Sequence, residues 1–252
     1  MAVSVLATVA VGALVGRSGP YVGMFEHDQP HAHGHDDLVV RVERSPGMGT
    51  RESFFTQPPD LVVTGDGTAY AAAHEGPPSG IVEPVLTFHL SEGQVQGLLK
   101  RAHHDDLLTD RATYPAPSDV MDGGTTSVEI ATEVRWTHRA YALEPGGWSP
   151  TARGRLADFV GAALRVADGP GTPYRPRVLR MLAEPAEGSA ITEPVAPWPS
   201  DVRVDLATLG DCALVRDPGV VNVLTTRPDR HYRQGRTTYE VAAAVALPGD
   251  PC

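Results

Sequence analysis

The chain has 252 residues and a formal net charge of −10, and hydrophobic residues make up 41% of it. This hydrophobic content is sufficient for a packed core and excludes a chain that is disordered throughout. The negative charge, without a Lys/Arg-rich run that carries aromatic residues, argues against binding to nucleic acid or to anionic lipid headgroups.

The first residues form an uncharged apolar segment. Residues 1–16 contain small or aliphatic side chains with one serine and one threonine. As a helix they would extend about 24 Å, less than the roughly 30 Å of a bilayer core. We predict that residues 1–17 are a signal-like segment that directs export, with a buried core element as the alternative. The membrane is then contacted only through this segment, if it stays uncleaved. Leu14-Val15-Gly16 is similar to the end of a lipoprotein signal, but Arg17 stands where the acylated cysteine would be.

Residues 18–37 are polar and include the sequence HDQPHAHGHDD, from His27 to Asp37. One interpretation is a hydrophilic linker that happens to be rich in histidine. The alternative is a site for Zn²⁺ or Cu²⁺ formed by four histidines: His27, His31, His33 and His35. The last three alternate, and alternate residues of an extended chain share a face. Imidazole nitrogens suit both ions. No other cofactor is predicted.

The next elements, in chain order, are four strands, two of them in a hairpin, and a helix. Alternating apolar residues predict a strand over residues 38–44. The sequence Gly65-Asp66-Gly67 between two β-rich runs predicts a hairpin, since Asp-Gly suits the positive φ angles of a tight turn. A further strand is expected within residues 81–90. Ser91, with Gln94 three residues later, predicts a capping box and a helix. The apolar residues of this helix recur at helical spacing: Val95, Leu98, Leu99 and Ala102.

The remaining elements are mostly strands. Two more strands are predicted within residues 125–134 and 137–143, and a helix is predicted after Thr151. Its apolar stripe is Leu156, Phe159, Val160 and Ala163. After a Gly/Pro-rich stretch at 168–176, strands are predicted at 177–185 and 237–247. Between these lie three short apolar runs, at 204–209, 212–216 and 220–226.

This order of elements predicts an α+β fold, with antiparallel sheets and helices packed on one face. We expect an α+β domain over residues 38–170 and a β-rich C-terminal subdomain over residues 171–252. Cys212 and Cys252 are the only cysteines. In an exported protein such a pair is most simply a disulfide, which would staple this subdomain.

Several stretches together resemble a family of uncharacterised exported proteins of actinobacteria, which are often lipoprotein-like. These stretches are PDLVVTGDGTAYA, LSEGQVQGLLKRA, SDVMDGGTTSVEI, HRAYAL and the closing LPGDPC. The resemblance covers roughly residues 38–252 and implies an extracytoplasmic location. It carries over no catalytic residue. The use of arginine in place of lysine at every basic position except Lys100 is typical of a GC-rich genome of that kind.

The motifs of common enzyme classes are absent from the sequence: it has no GxSxG, HExxH or P-loop pattern. We therefore predict a non-enzymatic binding or structural module of the cell envelope, whose partner is an envelope protein or a small ligand. An enzyme of unrecognised mechanism is the further alternative. It would require a pocket around Asp119, Asp122 or His138.

The histidines at the end of the first helix, His103 and His104, are expected to complement its dipole. His74, His89 and His231 are expected to be surface or core residues.

Overall fold

The structure is a computed structural model that describes residues 27–73, 80–109, 114–144, 151–186, 193–250 and 252. The predicted signal-like segment at 1–17, the first part of the predicted linker at 18–26 and His74 lie outside the described residues. Within the described ranges, no helix has both the length and the apolar character that crossing a membrane requires.

The described residues form two β-sheets and four α-helices. The strands are β1 (Leu38–Ser45), β2 (Leu61–Thr64), β3 (Thr68–Ala72), β4 (Val85–His89), β5 (Thr125–Ala131), β6 (Arg135–Tyr141), β7 (Thr172–Pro173), β8 (Leu179–Pro185), β9 (Val195–Pro197), β10 (Ala213–Val215), β11 (His231–Gln234) and β12 (Thr237–Val245). The helices are α1 (Arg51–Thr56), α2 (Glu92–His104), α3 (Ala152–Leu164) and α4 (Pro218–Thr226), with short 3₁₀ turns at Arg165–Ala167 and Leu206–Thr208.

The larger sheet has seven strands in the order β6-β5-β1-β2-β3-β4-β7, and every neighbouring pair is antiparallel. The smaller sheet has five strands in the order β10-β8-β12-β11-β9. It is antiparallel except where β9 runs parallel to β11. The α+β fold with antiparallel sheets is therefore confirmed.

The central strands of the larger sheet are covered on both faces. On one face, α2 and α3 pack through their predicted stripes; Leu99 and Phe159 meet strand residues such as Val63 and Ile130 in one hydrophobic cluster. On the other face, residues of β1 to β4 pack against β8, β12 and α4 in a second cluster. This second cluster joins Leu38 and Tyr70 to residues beyond 171, so both predicted parts of the chain contribute to one core. The division into a domain over residues 38–170 and a subdomain over residues 171–252 stays a prediction.

The hairpin between β2 and β3 forms where the sequence predicts it, but with a different turn. The Gly67 N–H donates to the Thr64 carbonyl, and only Gly67 of the predicted Asp-Gly pair has a positive φ, +81°. This is a three-residue loop that ends in a left-handed glycine. A Cβ on Gly67 would lie 2.3 Å from the Leu90 carbonyl oxygen, so only glycine allows the hairpin to approach the start of α2 this closely.

Two contacts fasten the end of the described chain to both sheets. Cys212 and Cys252 form the predicted disulfide, with their Cα atoms 5.4 Å apart. Two residues before Cys252, the Asp250 carboxylate lies 2.6 Å from Arg41 of β1 and 3.5 Å from Arg180 of β8. The Asp250 side chain is only 1% exposed. Burial alone would lower the pKa of Arg41, but the charges of Asp250 and Glu43 raise it above its ordinary value.

Candidate functional site

The histidine-rich segment lies against the first turns of α2. The side-chain amide of Gln96 pairs with both backbone groups of Gln29, at 2.8 and 2.9 Å. One residue earlier, Asp28 forms a 2.7 Å ion pair with Lys100. Gln96 is itself buried. Asp28 and Gln29 are therefore held against the helix, although most residues of the segment 27–37 are exposed.

This placement brings His31 and His33 together beside Glu92, the first residue of α2. The ligand atoms of the three side chains lie within 4.8 Å of one another. His31 Nε2 is 3.1 Å from Glu92 Oε1, and the His31 side chain is 1% exposed. The centroids of the two imidazole rings, of His31 and His33, lie 4.3 Å apart. Hydrogen bonds from His31 and from Gln96 lower the pKa of Glu92 below its ordinary value.

The other two predicted metal ligands are not part of this group. His35 points to the hairpin: its Nδ1 contacts Asp66 Oδ2 at 2.9 Å, and its Nε2 contacts the Tyr70 hydroxyl at 3.3 Å. Both ring nitrogens of His35 are thus engaged, so neither is available to an ion at His31 and His33. His27 is exposed and lies outside the three-residue group.

The hydrogen bonds around Asp66 fix the position of His35. Burial would raise the pKa of Asp66, but hydrogen bonds from Thr68, Thr64 and His35 lower it well below its ordinary value. The carboxylate therefore accepts the proton of His35 Nδ1, and Nε2 accepts the hydroxyl proton of Tyr70. Burial raises the pKa of Tyr70 to about 12. Tyr70 is therefore a neutral hydrogen-bond donor at physiological pH and is unsuited to act as a nucleophile.

Next to this hairpin lies a cleft of about 820 Å³. One wall is formed by β3, β4 and His35, and the other by the segment that follows α3. Strand pairing between β4 and β7 holds the second wall in place. The polar and aromatic residues of its lining are His35, Thr68, Tyr70, Thr87, Phe88, His89, Gln94, Thr172, Tyr174, Arg175 and Arg177. The Tyr174 ring meets the Tyr70 ring edge to face, at 5.2 Å between ring centroids.

Two arginines line the cleft, although the chain is acidic overall and Asp66 contacts the lining residue His35. No carboxylate is found in the lining that the described residues provide, and Arg175 and Arg177 are both exposed there. Neither arginine has a carboxylate partner among the described residues. Among the described residues, ion pairs are formed by Arg41, Arg44, Arg51, Arg101, Arg135, Arg155, Arg180 and Arg230. Two unpaired guanidinium groups at one cleft are suited to binding an anion.

A second cavity, of about 680 Å³, lies on the other side of the same segment. It shares Tyr174, Arg175 and Arg177 with the cleft. Most of its remaining lining is apolar: Val82, Pro84, Val85, Pro176, Pro218, Val221 and Val245. The two arginines therefore stand between a polar cleft and an apolar cavity.

The residues considered for catalysis do not form one site. Asp119 lines a cavity of about 350 Å³, and Asp122 is absent from that lining. His138 is buried as a core residue. Its Nε2 donates to the Leu107 carbonyl at 2.7 Å, and its Nδ1 accepts from Tyr114 at 2.8 Å. With both nitrogens used, His138 connects β6 to the loop after α2 and is not a candidate base.

The other histidines have varied positions. His103 and His104 are in the last turn of α2, as predicted, and His104 lies 3.0 Å from Asp105. His89 lines the cleft, and His231 is buried.

Comparison of the chain with protein-family models, curated proteins and solved structures finds no match.

Proposed function

We propose that this chain is an exported, non-enzymatic binding protein of the cell envelope whose ligand is a small organic anion. The observation that carries the proposal is that Arg175 and Arg177 both line one cleft in a chain of net charge −10. Within the described ranges, neither has a carboxylate partner and the cleft lining has no acidic residue. In such a chain, a locally positive cleft concentrates anions and repels the ligands that the acidic surface would otherwise attract.

The remainder of the cleft favours an anion that carries a ring. Phe88 and Tyr174, which are partly exposed, supply aromatic surface, and Tyr70 is buried behind it. The threonines Thr68, Thr87 and Thr172 supply hydroxyl donors and acceptors. Concave sites that combine apolar surface with a few convergent polar groups are typical of small-molecule binding. The fixed orientation of His35 against Asp66 adds a preorganised wall.

The proposal predicts binding of phenyl phosphate, used as a probe, by the full chain in a calorimetric titration. The double variant Arg175→Gln/Arg177→Gln is expected to weaken this binding by about tenfold or more. A charge-assisted hydrogen bond contributes about 1.5 kcal/mol, and 1.4 kcal/mol corresponds to a tenfold change in affinity. Phenol, which has the ring without the charge, is expected to bind far more weakly.

A matched control is the double variant Arg203→Gln/Arg236→Gln. It removes two positive charges from exposed positions outside the cleft lining. It is expected to bind phenyl phosphate as the unmodified chain does. If both double variants weaken binding equally, the effect is one of net charge and the cleft is not the site. Absence of binding for phenyl phosphate, inorganic phosphate and citrate alike would also contradict the proposal.

Export is supported by the apolar segment at residues 1–17 and by the disulfide, because disulfides persist in oxidising compartments. We expect the full chain, produced in an actinobacterial host, to be recovered outside the cytoplasm with Cys212 and Cys252 oxidised. Fractionation followed by thiol labelling measures both properties. Recovery in the cytoplasm with two free thiols would overturn this part of the proposal.

A further inference from the structure

We propose that His31, His33 and Glu92 form a binding site for a single divalent transition-metal ion, with Zn²⁺ as the best fit. The site lies outside the cleft lining, and the inference does not depend on the proposed anion binding. Two imidazoles and one carboxylate are a donor set that zinc uses in proteins, with water in the fourth tetrahedral position.

The distances of the site approach those of a coordinated ion. Zn–N and Zn–O bonds of about 2.0–2.1 Å place neighbouring ligand atoms of a tetrahedron about 3.3 Å apart. His31 Nε2 and Glu92 Oε1 are already 3.1 Å apart. His33 completes the group within 4.8 Å. Because His33 is exposed, its ring is able to rotate about its side-chain bonds to close this remaining distance.

The hydrogen bonds of His31 direct one nitrogen toward the ion. His31 Nδ1 lies 2.6 Å from the Ala32 carbonyl oxygen, to which it donates its proton. Nε2 faces Glu92 Oε1 at 3.1 Å in the hydrogen bond described above. A metal ion bound there would take the place of the proton that the two atoms share. Metal-binding histidines commonly donate their other N–H to a backbone carbonyl in this way.

Gln96 holds the site in position without binding the ion. Its amide nitrogen donates to Glu92 Oε1 at 3.0 Å and to the Gln29 carbonyl at 2.9 Å. The carboxylate ligand and the histidine segment are thereby fixed to the same turn of α2. This anchoring reduces the ordering entropy that a flexible histidine-rich segment would lose on binding an ion.

The test is a calorimetric titration of the full chain with Zn²⁺ after treatment with a chelator. We expect one ion per chain, with affinity lowered about tenfold or more by His33→Ala and also by Glu92→Gln. Gln96→Ala is expected to lower the affinity while leaving all three ligands in place. Titration with Co²⁺ should give the visible absorption bands of a four-coordinate site, and these should be lost in His33→Ala.

The control is His27→Ala, which removes an exposed histidine of the same segment and should leave the affinity unchanged. Circular dichroism of each variant establishes that it is folded before its affinity is compared. If His27→Ala and His33→Ala weaken binding equally, the segment chelates ions without an organised site and the proposal is overturned. Binding of several ions per chain, or of none, would overturn it as well. The double variant Arg175→Gln/Arg177→Gln should retain zinc binding, which separates this inference from the proposed function.

Discussion

Replacing Asp250 by Asn is expected to lower the free energy of unfolding by about 3–5 kcal/mol, the range found when one partner of a buried ion pair is removed. The carboxylate contacts Arg41 at 2.6 Å and Arg180 at 3.5 Å, and it accepts a hydrogen bond from the Leu247 N–H at 2.8 Å. The Arg41 side chain is almost as buried as that of Asp250. Without the carboxylate, Arg41 would keep only the more exposed Glu43, at 3.3 Å, and the largely buried Arg180 would lose its carboxylate partner. Urea unfolding of the full chain measures the change.

The control for this prediction is Asp211→Asn. Asp211 also pairs with an arginine, Arg51 at 2.8 Å, but its side chain is 90% exposed. Exposed pairs contribute about 0–1 kcal/mol, so this variant should unfold nearly as the unmodified chain does. Equal, small effects for both substitutions would show that Asp250 does not join the two sheets as described.

Reduction of the disulfide between Cys212 and Cys252 is expected to lower the free energy of unfolding by about 4 kcal/mol on the chain-entropy model. The bond closes a loop with a sequence separation of 40 residues. It also joins Cys212, immediately before the edge strand β10, to the turn that carries Asp250. Reduction should therefore free both the edge strand and the Asp250 turn to separate from the sheets.

This second prediction is measured by urea unfolding of the chain with and without a reductant. The variant Cys212→Ser/Cys252→Ser is the control, and its stability should match that of the reduced chain and not respond to the reductant. Oxidised and reduced chains of equal stability would mean that the folded contacts around Asp250 already constrain this region fully.

Local sequence signals predicted most of the elements because their physical causes are local. The Ser91/Gln94 capping box at the start of α2 is confirmed in both of its hydrogen bonds, and Thr151 caps α3. Helix α4 was missed, since its run of valines and threonines has the composition of a strand. Two signals for it were present. Asp217 accepts hydrogen bonds from the first N–H groups of the helix, and Pro218 occupies its first turn.

The candidate sites were less predictable because they are assembled from distant parts of the chain. Arg175 and Arg177 reach the cleft through the pairing of β7 with β4, which no local pattern indicates. The sequence predicts the histidine segment as a candidate metal site, but Glu92 is not among the predicted ligands. Glu92 lies 61 residues from His31, and only the docking of the segment on α2 brings the two together. The same docking directs His35 to Asp66.

The most direct test of the proposed function is a titration of the isotope-labelled, chelator-treated full chain with phenyl phosphate, followed by amide chemical shifts. The largest shift changes are expected at cleft residues on both walls: Thr68, Tyr70, Thr172, Arg175 and Arg177. Amides of the metal group and of the Asp250 turn should remain unchanged. Changes confined to these two walls would support a ligand-binding cleft, whereas small changes spread over the arginines of the whole surface would contradict it.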